Sequence, residues 1–213
     1  MRFLRENSLS IAFGLLFLAS LLGQSIAGWY DEKELLTEHH EATVSYVGYV
    51  FSSSFGVDVL ENWQSEYLQF SLFILATIWL YQRGSNESKQ AEELGLESDE
   101  RQKVEGRPKD WRYYLYSNSL LLVMAVIFVA SWLGQGVAGW RNYNEDQELH
   151  DEPEVSYVGY LGRAEFWNRT FQNWQSEFLA VGAIAVFTIY LRQRGSPESK
   201  PVGARHDETG AEG

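Results

Sequence analysis

Polar and apolar positions in this chain fall into long blocks, not into the strict alternation of a half-buried strand. Residues 9–26 and 117–140 contain no charged side chain. A helix rises about 1.5 Å per residue, so about 20 apolar residues cross a hydrocarbon core roughly 30 Å thick. The runs 8–28 and 119–139 reach that length and predict two spanning helices. Two further apolar runs, 67–81 and 178–191, cover only roughly 22 Å. They predict second spanning helices that begin before the run itself, around Asn62 and Asn173. Trp and Tyr gather at the ends of the runs, where an amphipathic ring can be buried while its N–H or O–H stays wet. The pattern predicts an all-α membrane protein with four transmembrane helices.

The blocks repeat. Shifting the sequence by 111 residues lays 7–89 onto 118–200 without a gap, and 38 of those 83 positions are identical. Leu22-Gly23-Gln24 and Ala27-Gly28-Trp29 recur as Leu133-Gly134-Gln135 and Ala138-Gly139-Trp140. The strings Val-Ser-Tyr-Val-Gly-Tyr (44–49), Asn-Trp-Gln-Ser-Glu (62–66) and Gln-Arg-Gly-Ser-x-Glu-Ser-Lys (82–89) recur at the same shift. Identity of this extent marks a tandem duplication. The domain reading is a first two-helix membrane repeat (1–90), a cytoplasmic linker (91–110), a second two-helix membrane repeat (111–200) and a disordered tail (201–213). The basic N-terminus, apolar core and Ser25-Ile26-Ala27 also have the composition of a cleaved leader. The same segment recurs in mid-chain, which argues for a retained helix.

Charge sets the orientation. The segments 30–66 and 141–177 carry only Lys33, Arg141, Arg163 and Arg169 of the 17 basic residues, but 16 of the 29 acidic ones. The positive-inside rule therefore places both termini and the region 82–111 in the cytoplasm, in a multi-pass protein of the inner membrane. An even number of spans per unit gives the two repeats a parallel orientation, related by a pseudo-two-fold axis along the membrane normal. The net charge of −12 excludes a nucleic-acid partner, whose phosphates need a basic footprint. The absence of cysteine removes disulfides, thiolate metal sites and a Cys nucleophile.

Candidate chemistry sits at paired positions. Ala19, Gly23 and Ala27, with Ala130, Gly134 and Ala138, form ridges of small residues that let helices approach closely, within the chain or in a dimer. Gln24 and Gln135 need hydrogen-bond partners near the outer boundary and serve as interhelical glue or line a polar site. Glu66 and Glu177, in helices starting at Asn62 and Asn173, lie about one turn in. There they either face water at the positive helix end or form a cation or proton site around the axis. Trp29, Trp63, Trp140 and Trp174 are interfacial anchors. His39-His40-Glu41 and His150-Asp151-Glu152 offer imidazole beside carboxylates, so His39 and His150 are the metal candidates, without the tight spacing of a zincin helix. The segments between the paired helices read as solvated acidic loops or a cap, and the Val-Ser-Tyr-Val-Gly-Tyr block as extended or interfacial.

Taken together, Phe3-Leu4-Arg5-Glu6-Asn7-Ser8-Leu9, the Gly-Gln-x-x-x-Gly-Trp helix end, Asn-Trp-Gln-Ser-Glu-Phe-Leu (173–179) and the Gln-Arg-Gly-Ser-x-Glu-Ser-Lys string resemble a family of small bacterial membrane proteins, a domain of unknown function. The resemblance covers nearly the whole chain and implies a prokaryotic membrane location. It assigns no catalytic residue. The first of these blocks is degraded in the second copy, at Tyr114-Leu115-Tyr116-Ser117-Asn118.

The function this predicts is a non-enzymatic structural or interaction component of the cytoplasmic membrane, with no cofactor and with the lipid bilayer as its surroundings. The alternatives are a small ion or solute conduit, which four spans could form only as a homo-oligomer, and a metal-binding membrane enzyme.

Overall fold

The computed structural model describes residues 2–96 and 110–210. Among them every regular element is helical: α1 (Arg2–Glu6), α2 (Ser8–Glu38), α3 (Tyr46–Val50), α4 (Ser53–Trp79), α5 (Trp111–Ser117), α6 (Ser119–Leu149), α7 (Tyr157–Leu161) and α8 (Ala164–Tyr190), with one 3-10 turn at Ala91–Glu93. Two of them, α2 and α6, are long and apolar enough to cross a membrane. The expected linker lies largely in 97–109, outside the described residues.

The helices run well past the apolar runs that announce them. The first helix of each copy continues from Gly28 to Glu38 and from Gly139 to Leu149, through polar sequence. The second helices begin at Ser53 and Ala164, not near Asn62 and Asn173. Hydropathy marks where a helix is apolar, whereas its ends are set by caps and turn geometry. Glu66 and Glu177 therefore lie mid-helix, and the reading that they complement a helix N-terminus is corrected. The expected loops 30–66 and 141–177 shrink accordingly to 39–52 and 150–163, each holding one short helix.

The chain separates into two compact units, residues 1–60 with 134–163, and residues 61–133 with 164–213. In the first unit, α2 and α6 stop in the same way. His40 and Asp151 take positive φ of 61° and 56°. Their amides return to Thr37 and Glu148, and the next amides, of Glu41 and Glu152, donate to Leu36 and Gln147 at 2.8 Å. This is the paired-bond helix stop in which a left-handed residue reverses the chain. His and Asp tolerate that conformation better than most side chains. The following segment runs back along its own helix until Ser45 or Ser156 caps a single turn, accepting from the Gly48 or Gly159 amide at 3.1 Å. The Val-Ser-Tyr-Val-Gly-Tyr block is thus a capped helical turn, α3 or α7, and not an extended segment.

That turn lays a tyrosine on a glycine. Tyr49 and Tyr160 are 2% and 1% exposed, and their hydroxyls sit where a Cβ on Gly28 or Gly139 would be. The indoles of Trp29 and Trp140 donate to the Val44 and Val155 carbonyls at 2.9 and 2.8 Å, closing each fold-back. In the second unit Trp132 on α6 is the hub of an aromatic cluster, its ring centroid 6.2–6.4 Å from those of Phe166, Trp167 and Trp174 on α8.

Candidate functional site

The repeated polar residues are the candidate positions, and the structure gives them different surroundings. Gln64 on α4 is fully buried. Its amide nitrogen donates to the Glu61 carbonyl at 3.0 Å, and its oxygen accepts from the Trp174 indole at 2.8 Å. One turn away Arg169 pairs with the Glu61 carboxylate at 3.1 Å and approaches Glu165 at 3.6 Å. These bonds join α4 to α8 through desolvated polar groups, which are costly to leave unpaired and are paired here. Trp174 is consequently tied to a protein acceptor. Trp63 remains 38% exposed, as an interfacial residue would be.

Glu66 is exposed and Glu177 is half-buried. The glutamine pair is not equivalent. Gln24 is exposed, whereas Gln135 is 1% exposed with neither amide atom bonded to a described residue. The two ridges of small residues differ likewise. A Cβ on Gly134 would meet Leu60 at 3.0 Å and Ala138 lies against Gly56, while nothing stands within 4 Å of Gly23. In the second copy Gly134 and Ala138 thus pack against α4, whereas Ala130 is exposed. The ridge of Ala19, Gly23 and Ala27 is exposed.

His39 and His150 do come together, with ring centroids 5.1 Å apart at the ends of α2 and α6. The His150 Nδ1–H donates to the Asp146 carbonyl at 2.8 Å. Among the described residues no group of three His, Asp or Glu side chains is placed to hold a metal ion. Nearby, Glu32 accepts from Ser54 at 3.1 Å, and Glu145 accepts from Ser53.

Burial, helped by the negative charges of Asp58, Glu32 and Asp31, pushes the Tyr49 phenol up to about 12. A folded-state value above the ordinary 10.0 means that the folded protein keeps a proton the unfolded chain loses. The stabilisation is whole below pH 10 and disappears as pH rises towards about 12. In thermal unfolding across that window, the wild type should lose stability more steeply than Tyr49→Phe. Parallel curves would refute it.

The Gln-Arg-Gly-Ser-x-Glu-Ser-Lys string, a mark of the repeat and of the family resemblance in the sequence, builds a bonded loop in each copy. Gly84 and Gly195 both have φ of 82°, and the Ser85 and Ser196 amides donate back to Gln82 and Gln193 at 3.1 and 3.2 Å. Glycine at the third position of such a turn is what a type II geometry requires. Ser88 and Ser199 then accept from the Gln82 and Gln193 amides at 3.0 and 2.8 Å. The motif's lysine closes the loop. Lys89 donates to the Gly95 carbonyl at 3.0 Å.

Lys200 is buried, and its three N–H groups are shared among four carbonyls, those of Gly84, Arg205, His206 and Glu208, at 2.7–3.1 Å. Burial, with Arg192 nearby, pushes its ammonium below the ordinary lysine range, against the opposing pull of Glu208 and Asp207. Residues 201–210, expected from composition to be a disordered tail, are ordered around this ammonium. Gly84 N–H donates to the Thr209 hydroxyl at 2.8 Å, Gly210 N–H to the Ser85 carbonyl at 3.0 Å, and His206 Nδ1–H to the Ile189 carbonyl at 2.9 Å. Composition alone misses this order, because the tail is held by backbone carbonyls and not by apolar side chains.

Neither the curated proteins nor the solved structures contain a match to the chain. Residues 1–211 match one family over essentially their whole length, and the chain belongs to that family, described as a domain of unknown function (DUF6766).

Proposed function

We propose that the chain is a multi-pass protein of the cytoplasmic membrane, in which α2, α4, α6 and α8 are four spans arranged as two tandem parallel repeats. It acts there as a non-enzymatic structural or interaction component. One observation carries the reading. Among the described residues, thirteen polar side chains are buried against six large apolar ones, and Leu15, Leu16, Leu18, Val126 and Leu133 are among the many apolar side chains left exposed. A water-soluble fold has the opposite distribution. Lipid-solvated helices bury small and hydrogen-bonding residues and turn their aliphatic side chains outward.

The length of α4 and α8 supports four spans, since 27 residues rise roughly 40 Å and exceed the hydrocarbon thickness. The repeated polar groups support an architectural role. Gln64, Trp174, Glu61, Arg169 and Lys200 all bond to protein atoms that join one segment to another.

The chain has no cysteine, so single-cysteine labelling reads topology cleanly. Thr43→Cys and Glu154→Cys should react with an impermeant maleimide in intact cells, and Glu93→Cys and Val202→Cys only after lysis. Labelling of the last two in intact cells would overturn the orientation, and release of the protein by alkaline carbonate would overturn the membrane reading. Cation flux in proteoliposomes abolished by Glu66→Gln with Glu177→Gln would replace the architectural role with a conduit.

A further inference from the structure

The contact between α4 and α6 has a counterpart in the repeat that the chain leaves open. A Cβ on Gly134 would meet Leu60 at 3.0 Å, and one on Gly56 would stand 3.6 Å from that of Ala138. Beside them Gln135 is 1% exposed, and Gln64, one turn beyond Leu60, is fully buried. A shift of 111 residues carries Gly134, Gln135 and Ala138 to Gly23, Gln24 and Ala27 on α2. The same shift carries Leu60 and Gln64 to Phe171 and Gln175 on α8. All five of these equivalents are exposed, Phe171 by 54%, and nothing stands within 4 Å of a Cβ on Gly23.

Each open set occupies one face of its helix, since positions three and four apart lie one above the other. The fold-back of α3 covers a different side of α2, that of Ser25 and Gly28. Small residues alone would show only that another helix can approach closely. The two amides point to a helix that does. Neither Gln24 nor Gln175 is hydrogen-bonded to a described residue, and both lie in helices read as spanning. Lipid tails offer an amide no partner, so leaving both turned outward is costly. Phe171 supplies the apolar knob, and the Gly23 and Ala27 face supplies the shallow surface that admits one.

We propose that two copies of the chain pair in the membrane, α8 of each lying on the Gly23 and Ala27 face of α2 of the other, as α4 lies on α6 within one copy. The dimer rests on the membrane reading and the tandem repeat given above. Phe171 seats on Gly23 as Leu60 does on Gly134, and Gln24 and Gln175 are withdrawn from lipid. The contact joins two different surfaces, so it is heterologous at the level of the repeat. A two-fold axis between the copies forms it twice and closes four repeats into a ring.

The test is disulfide trapping of the full chain, which has no cysteine of its own, in the membranes of the expressing cell. The 3.6 Å separation at Gly56 and Ala138 lies in the disulfide range, so Gly56→Cys with Ala138→Cys should close within one chain. The equivalent pair, Trp167→Cys with Ala27→Cys, should give a covalent dimer, and neither single variant should. Native mass spectrometry of the cysteine-free chain in nanodiscs counts the same dimer and stands in if Trp167→Cys fails to fold. There Gly23→Ile, placed where the chain itself leaves open space, should weaken the dimer about tenfold, and Phe171→Ala should act alike. A monomeric wild type, or a dimer indifferent to both substitutions, would overturn the proposal. So would a covalent dimer of Ala27→Cys alone, in which two α2 faces meet each other, or a ladder of larger species, in which the contact does not close. A chain that resists alkaline carbonate yet stays monomeric loses only the dimer, whereas one released by carbonate loses the membrane reading.

Discussion

Lys200→Met is expected to free residues 203–210 from the body of the protein while α8 stays folded. Methionine is close to lysine in length and keeps the apolar stem packed, so the change isolates the ammonium. Four carbonyls lose their common donor, and those of Gly84, Arg205, His206 and Glu208 stand too close together to be served separately without water entering. Hydrogen bonds from a charged donor contribute about 1.5–3 kcal/mol each, and buried acceptors left bare cost about 1–3 kcal/mol. The sum is not additive, because release of the segment rehydrates them. A local loss of about 3–4 kcal/mol is the expected scale. Amide hydrogen exchange should then lose protection across 203–210, and trypsin should cut after Arg205 at a rate at least tenfold above wild type. Wild-type protection in the variant would show that Lys200 does not hold the segment. Gly84→Ala should act in the same direction, because its Cβ would be built into the His206 carbonyl at a φ of 82°. Gly195→Ala shares the backbone strain but has nothing within 4 Å to collide with, and should leave the tail docked.

Gly139→Ala is expected to be a strongly damaging single methyl in the first unit. The added carbon falls on the Tyr160 hydroxyl and within 3.1 Å of its Cζ. Tyr160 cannot swing aside cheaply, since it is 1% exposed and its ring lies 5.6 Å from that of Tyr143. Overpacking of this kind costs about 1–3 kcal/mol. The expected outcome is a fall in thermal stability of several degrees, partly recovered in the double variant with Tyr160→Phe, which removes the atom in worst collision. A double-mutant cycle should give a coupling above about 0.5 kcal/mol. Additive effects would mean that the helix backbone yields instead. Gly28→Ala against Tyr49 should behave alike.

The apolar runs made the centres of α2 and α6 legible, because a block free of charge over this length has few alternatives to a helix. The ends were not legible. Residues 30–38 look like loop sequence, yet they continue α2, with Lys33 lying 4.7 Å over the Trp29 ring. The stop comes from the left-handed backbone at His40, which leaves only a faint trace in composition. A repeat also predicts equivalence, and equivalence is what packing breaks. Gln24 and Gln135 occupy one position in the alignment, but only Gln135 is enclosed. The Gln-Arg-Gly-Ser string held readable signals, a glycine at the third turn position followed by serines spaced to bond backbone amides. What could not be read was that the second lysine would gather carbonyls from a segment of unremarkable polarity.

The Lys200 bond to Gly84 spans 116 residues. Ser85 with Thr188, and Asn86 with the Pro197 carbonyl, cross a similar interval. The peptide backbone between those positions is therefore not the only connection between the stretch ending at Lys89 and the stretch ending at Gly210. Two polypeptides made separately, with the break placed in 97–109, would each carry one side of a complementary clasp. Fragment complementation is built into such an arrangement, and a protease acting on that segment would nick the protein without taking it apart.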